Sequence, residues 1–106
     1  MKIRLLFISI LFSQHIFSQA FQRIHKKAVV IDSHNDILTQ SIEKGVVFDT
    51  DLKGKTHSDL SRWKRGGLDA QLFSVWCDGD KKEPFAYANR QMDTLDAIVT
   101  RNPDKI

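Results

Sequence analysis

Residues 28–45, AVVIDSHNDILTQSIEKG, decide the fold. The stretch opens on AVVID, a compact β-branched run with no polar break before Asp32. Such a run suits a strand buried on both faces in a parallel sheet. Residues 33–36 close the strand. Residues 37–44 then suit a short helix, with Gly45 as its C-terminal stop. His34 and Asp36 stand two apart. If the strand geometry persists through Ser33, both side chains point to one side. Asp32 and Asn35 are expected to point the other way and to take up hydrogen bonds to ligands or backbone.

Outward from this stretch, residues 46–57 are rich in Gly, Asp, Lys and Thr without strong periodicity and read as a loop. A second unit starts at Asp59, a good helix N-cap. Leu60 and Trp63, three apart, share one side of that helix, and Gly66-Gly67 ends it. Residues 69–77, DAQLFSVWC, follow as a second strand. Pro84 suits the first position of a third helix. On it Phe85, Ala88, Met92, Leu95 and Val99 fall at spacings of three and four, and this stripe is expected to be core. Asn102-Pro103 ends that helix. The order strand, helix, helix, strand, helix argues an α/β fold with parallel strands. There is no internal repeat and no low-complexity stretch.

The N-terminus reads as an export signal over residues 1–20. Lys2 and Arg4 form a positive start, LLFISILF at 5–12 an apolar core, and Ser18-Gln19-Ala20 a small-residue cleavage site that would leave Phe21 as the mature N-terminus. A spanning helix needs about 20 apolar residues, and Ser13, Gln14 and His15 interrupt the run well short of that. The expected location is therefore periplasmic or extracellular with no stable membrane span; looser membrane association stays open. Removing Lys2 and Arg4, two of the sixteen basic residues, lowers the net charge from +3 to +1, because no acidic residue lies in the first twenty. The basic balance thus gives no warrant for a nucleic-acid surface. The single cysteine, Cys77, excludes an internal disulfide framework.

An imidazole nitrogen and a carboxylate oxygen are ordinary zinc ligands, so His34 and Asp36 at the end of a buried strand are the candidate metal ligands. The competing reading makes Asp36 a cap of the helix that follows. The chain holds a second H-x-D, His57-Ser58-Asp59. It follows FDTDLKGKT, which is not a strand, and Asp59 is already accounted for as a cap. His57 is therefore not expected to bind metal.

IDSHND, followed by a loop and then DLSRWKRGGLDAQLFSVW, resembles the membrane dipeptidase family of zinc peptidases, peptidase family M19. That family opens with a strand ending in D-G-H-N-D. It continues with a D-L-P-R-L-like turn, a Gly-Gly pair and an aromatic-rich second strand. Ser33 stands where glycine is usual, Ser61 where proline is, and Trp63 for leucine; none of these touches a ligand. The resemblance implies a (β/α)8 TIM-type barrel with two zinc ions bridged by a glutamate, His34 and Asp36 ligating one of them. It implies hydrolysis of a dipeptide by metal-activated water. No segment matches the bridging glutamate or the later histidines: Glu43 and Glu83 sit in helical stretches outside that context. No catalytic residue is assigned. A barrel of this kind needs about 250 residues, and the chain stops after Ile106, where a third strand is due. Residues 21–106 accordingly read as the N-terminal portion of the barrel, truncated after about two strands and inactive alone. Two alternatives stay open: a secreted binding module without chemistry, and an amidohydrolase-type metal hydrolase acting on another amide or ester. Oligomeric state and the partner of Cys77 are left open too.

Overall fold

The computed structural model describes residues 20–106. The expected export signal at 1–20 lies, but for Ala20, outside the described residues. Residues 20–25 are helical. Then come β1 (Ile31–Asp32), α1 (Ile37–Lys44), α2 (Leu60–Gly66), β2 (Ala70–Gln71) and α3 (Pro84–Arg101). The fold is α/β, and its two strands pair in parallel with Ile31 opposite Ala70 and Asp32 opposite Gln71. The ladder is shorter than the apolar runs. Single backbone bonds extend it at both ends: Asp69 N to Val30 O, Leu72 N to Asp32 O, and Ser74 N to Asn35 O. The Asp69 carboxylate accepts from Val30 N at 2.8 Å. It thereby takes up a donor that the short ladder leaves free.

The helix ends follow the residues that specify them. Gly45 stops α1 with φ 63° and donates its N–H to Ser41 O. Gly67 stops α2 with φ 69°, donating to Lys64 O and Trp63 O. Both are left-handed positions that a side chain would strain. Pro84 opens α3, where its missing N–H costs nothing.

The core sits between α1, α2, α3 and the loop before α2. Ile37, Leu38, Phe48, Leu52, Leu60 and Ile98 are buried, with Trp63, Phe73 and Leu95 packed against them. Phe48, Trp63 and Phe73 form an aromatic trio with ring centroids 5.6–5.9 Å apart. Two loop residues, Phe48 and Leu52, thus carry the packing that folds segment 46–59 back over α1. At the far end of α3 the Arg101 guanidinium holds the Asp49 carboxyl down at about 2, with burial opposing and Asn102 assisting.

Of the stripe expected on α3, Leu95 packs against the core, but Phe85 is 81% exposed and Met92 and Val99 are exposed as well; the buried side chains are Tyr87, Gln91 and Ile98. Gln91 is the reason the apolar spacing misleads. It is fully buried, donates to Trp76 O at 2.8 Å and meets Thr39 Oγ1 at 3.3 Å. A hydrogen-bonded amide can occupy a core position that hydrophobic periodicity does not register. Leu72, Val75 and Trp76 are exposed with the outer stripe of α3. Large apolar side chains contribute about 1.5–3 kcal/mol each when buried, and these are not. Purified as these 106 residues, the chain is expected to melt broadly and to self-associate. A sharp, concentration-independent transition of a monomer in calorimetry would contradict that. Among the described residues no helix is long and apolar enough to cross a membrane.

Candidate metal centre and groove

The turn after β1 is held from several directions. Asp32 Oδ1 accepts from His34 N at 3.1 Å. Asn35 Oδ1 accepts from Ile37 N at 3.0 Å, the first donor of α1. The Asn35 amide donates to Ser58 Oγ at 3.3 Å and to Gln71 Oε1 at 3.2 Å. Gln71 donates in turn to Asp32 O and Leu72 O. The end of β1, the end of β2 and the loop before α2 are therefore joined through one side chain placed between the two candidate ligands.

Because Asn35 serves the start of α1, Asp36 makes no side-chain cap bond. The capping reading of Asp36 is thereby displaced. Its carboxylate turns to His34 instead, with His34 Nε2 and Asp36 Oδ1 3.2 Å apart and the side chains 67% and 58% exposed. The two side chains are in direct contact, and their donor chemistry, an imidazole nitrogen and a carboxylate oxygen, is that of ordinary zinc ligands. Among the described residues no group of three or more His, Cys, Asp or Glu side chains converges as a metal site. Glu43 is engaged elsewhere, with Lys81 Nζ at 3.0 Å and Tyr87 Oη at 3.1 Å.

The pair opens onto a groove of about 670 Å³, lined also by Asp32, Gln40, Lys55 and His57. One expectation changes here. Asp32 and Asn35 were expected on the far side, yet both line the groove with the pair, because the chain leaves strand geometry after Asp32 and turns into α1 with Asp36 at φ −93° and ψ 17°. His57, not expected to bind metal, lines this groove too and completes no cluster of ligands with the pair among the described residues.

The residues on either side of His57 are tied into the loop. Thr56 O and Oγ1 accept from the Arg62 guanidinium at 2.9 and 3.3 Å. Thr56 Oγ1 donates to Ser58 O at 2.7 Å, and Ser58 is tied to Asn35. Behind them lies Asp59, with no exposed surface. It accepts from Arg62 N and Ser61 Oγ at 2.8 Å, from Leu52 N at 3.1 Å, and from Arg62 Nε at 2.7 Å. Burial pushes the Asp59 carboxyl up. The Arg62 and Leu52 amides, the Ser61 hydroxyl and the guanidinium outweigh it and hold the group far below the usual carboxylate range. The sequence marked Asp59 as a cap. The loop contacts that deliver His57 depend on Phe48, Leu52 and Arg62 acting together, and no local motif reports them.

A sequence model of the membrane dipeptidase family, peptidase family M19, matches residues 18–106 of this chain.

Proposed function

The chain belongs to the membrane dipeptidase family of dipeptidase-type hydrolases, and from that premise we propose that it forms the opening units of a zinc-dependent dipeptidase of (β/α)8 architecture. The observation that carries the metal assignment is the His34–Asp36 pair, 3.2 Å apart and unengaged by the helix start. Both residues follow β1, at the end of a strand where barrel enzymes keep their chemistry. A catalytic zinc takes three protein ligands and a water. In this reading further ligands, and a second zinc site, come from residues outside the described set.

A zinc ion bound there would supply Lewis acidity toward water and the scissile carbonyl. The chain's own residues do the positioning. Asp32 fixes the backbone at His34, and Asn35 fixes the backbone beyond Asp36. The groove beside the pair has room for a short peptide. Dialysis of the full-length protein against a chelator is expected to abolish dipeptide hydrolysis, and added zinc to restore it. Full turnover by metal-free protein would contradict the proposal.

Residues 1–20 are proposed to direct export and to be removed, on the strength of the short apolar core at 5–12 and the Ser18-Gln19-Ala20 site. N-terminal sequencing of the exported protein is expected to begin at Phe21. An intact Met1 end recovered from the membrane fraction would overturn this.

A further inference from the structure

Two basic runs, 41 residues apart at their point of contact, meet at one end of the fold. Residues 20–25 are helical, and backbone bonds from Lys26 N to Gln22 O and from Ala28 N to Ile24 O carry the turn on to residue 28. His25 Nε2 donates to Gly66 O at 2.8 Å, at the last turn of α2. Phe21 stacks on the His25 ring with centroids 6.0 Å apart. The segment that carries Arg23, Lys26 and Lys27 is thereby set against the turn that carries Lys64 and Arg65. All five side chains are exposed, and among the described residues none takes part in an ion pair. Arg23, Lys26 and Lys27 line one open depression of about 400 Å³ together with Gln22. No acidic residue precedes Asp32 in the sequence, and Asp69, the first acid after α2, accepts from Val30 N. Among these cations stand Phe21 and Ile24, each 69% exposed. A solvated charged face accounts for the cations but not for two large apolar side chains held out between them.

We propose that this end of the protein is a peripheral docking surface for an anionic lipid bilayer, with Phe21 and Ile24 entering the headgroup layer and the five cations facing the lipid phosphates. Two observations select that partner. Cations with so little acid between them match a negatively charged surface. Exposed Phe and Ile in the same turns gain nothing from a hydrated polyanion, whereas the boundary between headgroups and acyl chains buries them. The long stems of Arg23, Lys26 and Lys27 lie along that boundary while their charged ends stay in water. The docking segment precedes β1, and His34 and Asp36 follow it. The groove therefore opens at the other end of the strands, away from the bilayer, and stays accessible from solution. The proposal is independent of the metal assignment.

The test is sedimentation of the full-length protein with lipid vesicles, the chain beginning at Phe21 so that the apolar run at 5–12 does not contribute. Binding is expected to vesicles of roughly two parts phosphatidylcholine to one of phosphatidylglycerol. Binding to phosphatidylcholine alone is expected to be at least about tenfold weaker, and most binding should be lost at about 1 M salt. Arg23→Gln, Lys26→Gln and Lys27→Gln together are expected to weaken binding about a hundredfold, since each cation near an anionic surface is worth about fivefold. Phe21→Ser with Ile24→Ser is expected to weaken it by about tenfold. Lys64→Gln with Arg65→Gln, on a separate element, gives an independent reading of the same surface and should also weaken it. All seven positions are exposed, so the thermal midpoint should not move. Failure to bind the mixed vesicles, equal binding to neutral ones, or full binding by the triple variant would overturn the proposal. So would full binding by the Phe21→Ser, Ile24→Ser protein together with retention on dextran sulfate, which would make the patch a site for a hydrated polyanion.

Discussion

His34→Ala and Asp36→Ala, each made in the full-length protein, are expected to weaken zinc binding and dipeptide turnover by well over a hundredfold. His57→Ala is expected to keep its zinc. Loss of a group that merely orients a ligand already costs roughly 10–100-fold, and these substitutions remove the ligand itself. The asymmetry between the histidines comes from geometry. His34 has a carboxylate 3.2 Å away on the same open face. His57 lines the groove without joining a cluster of ligand side chains. Metal analysis of the three purified variants reads this directly. Zinc lost from His57→Ala and retained by His34→Ala would reverse the assignment.

Asp59→Ala is expected to destabilise the full-length protein by about 3 kcal/mol at neutral pH. It breaks a buried ion pair and strands the donors that converged on it. Asp59→Asn is expected to cost less, since asparagine also caps helices, although its NH2 group cannot accept from Leu52 N and Arg62 Nε as Asp59 Oδ2 does. The pH dependence follows from the depressed pKa. Folding stabilises the ionised form of Asp59, so its contribution is complete above the ordinary value of 3.8 and is lost as the pH falls toward the folded-state value. Urea midpoints of the unsubstituted and Asp59→Ala proteins should therefore differ most at neutral pH and converge in strong acid. A gap that is small at neutral pH, or that widens on acidification, would show that the Asp59 network does not hold this region. Because the same network fixes Thr56 beside His57, Asp59→Ala should also loosen the groove.

What the sequence revealed about this fold was local. Gly45, Gly67, Asp59 and Pro84 mark helix ends through backbone preferences that need no partner, and the structure places all four where those preferences put them. The parallel pairing was legible from the alternation of elements. What stayed hidden depends on distant residues. The buried face of α3 runs through Tyr87, Gln91 and Ile98 because Gln91 finds Thr39 and the Trp76 carbonyl, and nothing near Gln91 in sequence supplies either. Phe48 and Leu52 sit in a polar stretch, yet they anchor the loop that carries His57 into the groove. The sequence brought His34 and Asp36 together through strand periodicity, whereas β1 ends at Asp32 and the two side chains meet across the turn that follows it. The release of Asp36 from capping was not legible, because it depends on Asn35 taking Ile37 N.

His34 and Asp36 are proposed to share a zinc ion, and anomalous diffraction at the zinc edge from crystals of the full-length protein tests this most directly. A peak is expected about 2.0–2.2 Å from both His34 Nε2 and an Asp36 carboxylate oxygen. A zinc ion bound wholly by other residues, with the His34–Asp36 contact intact and metal-free, would contradict it.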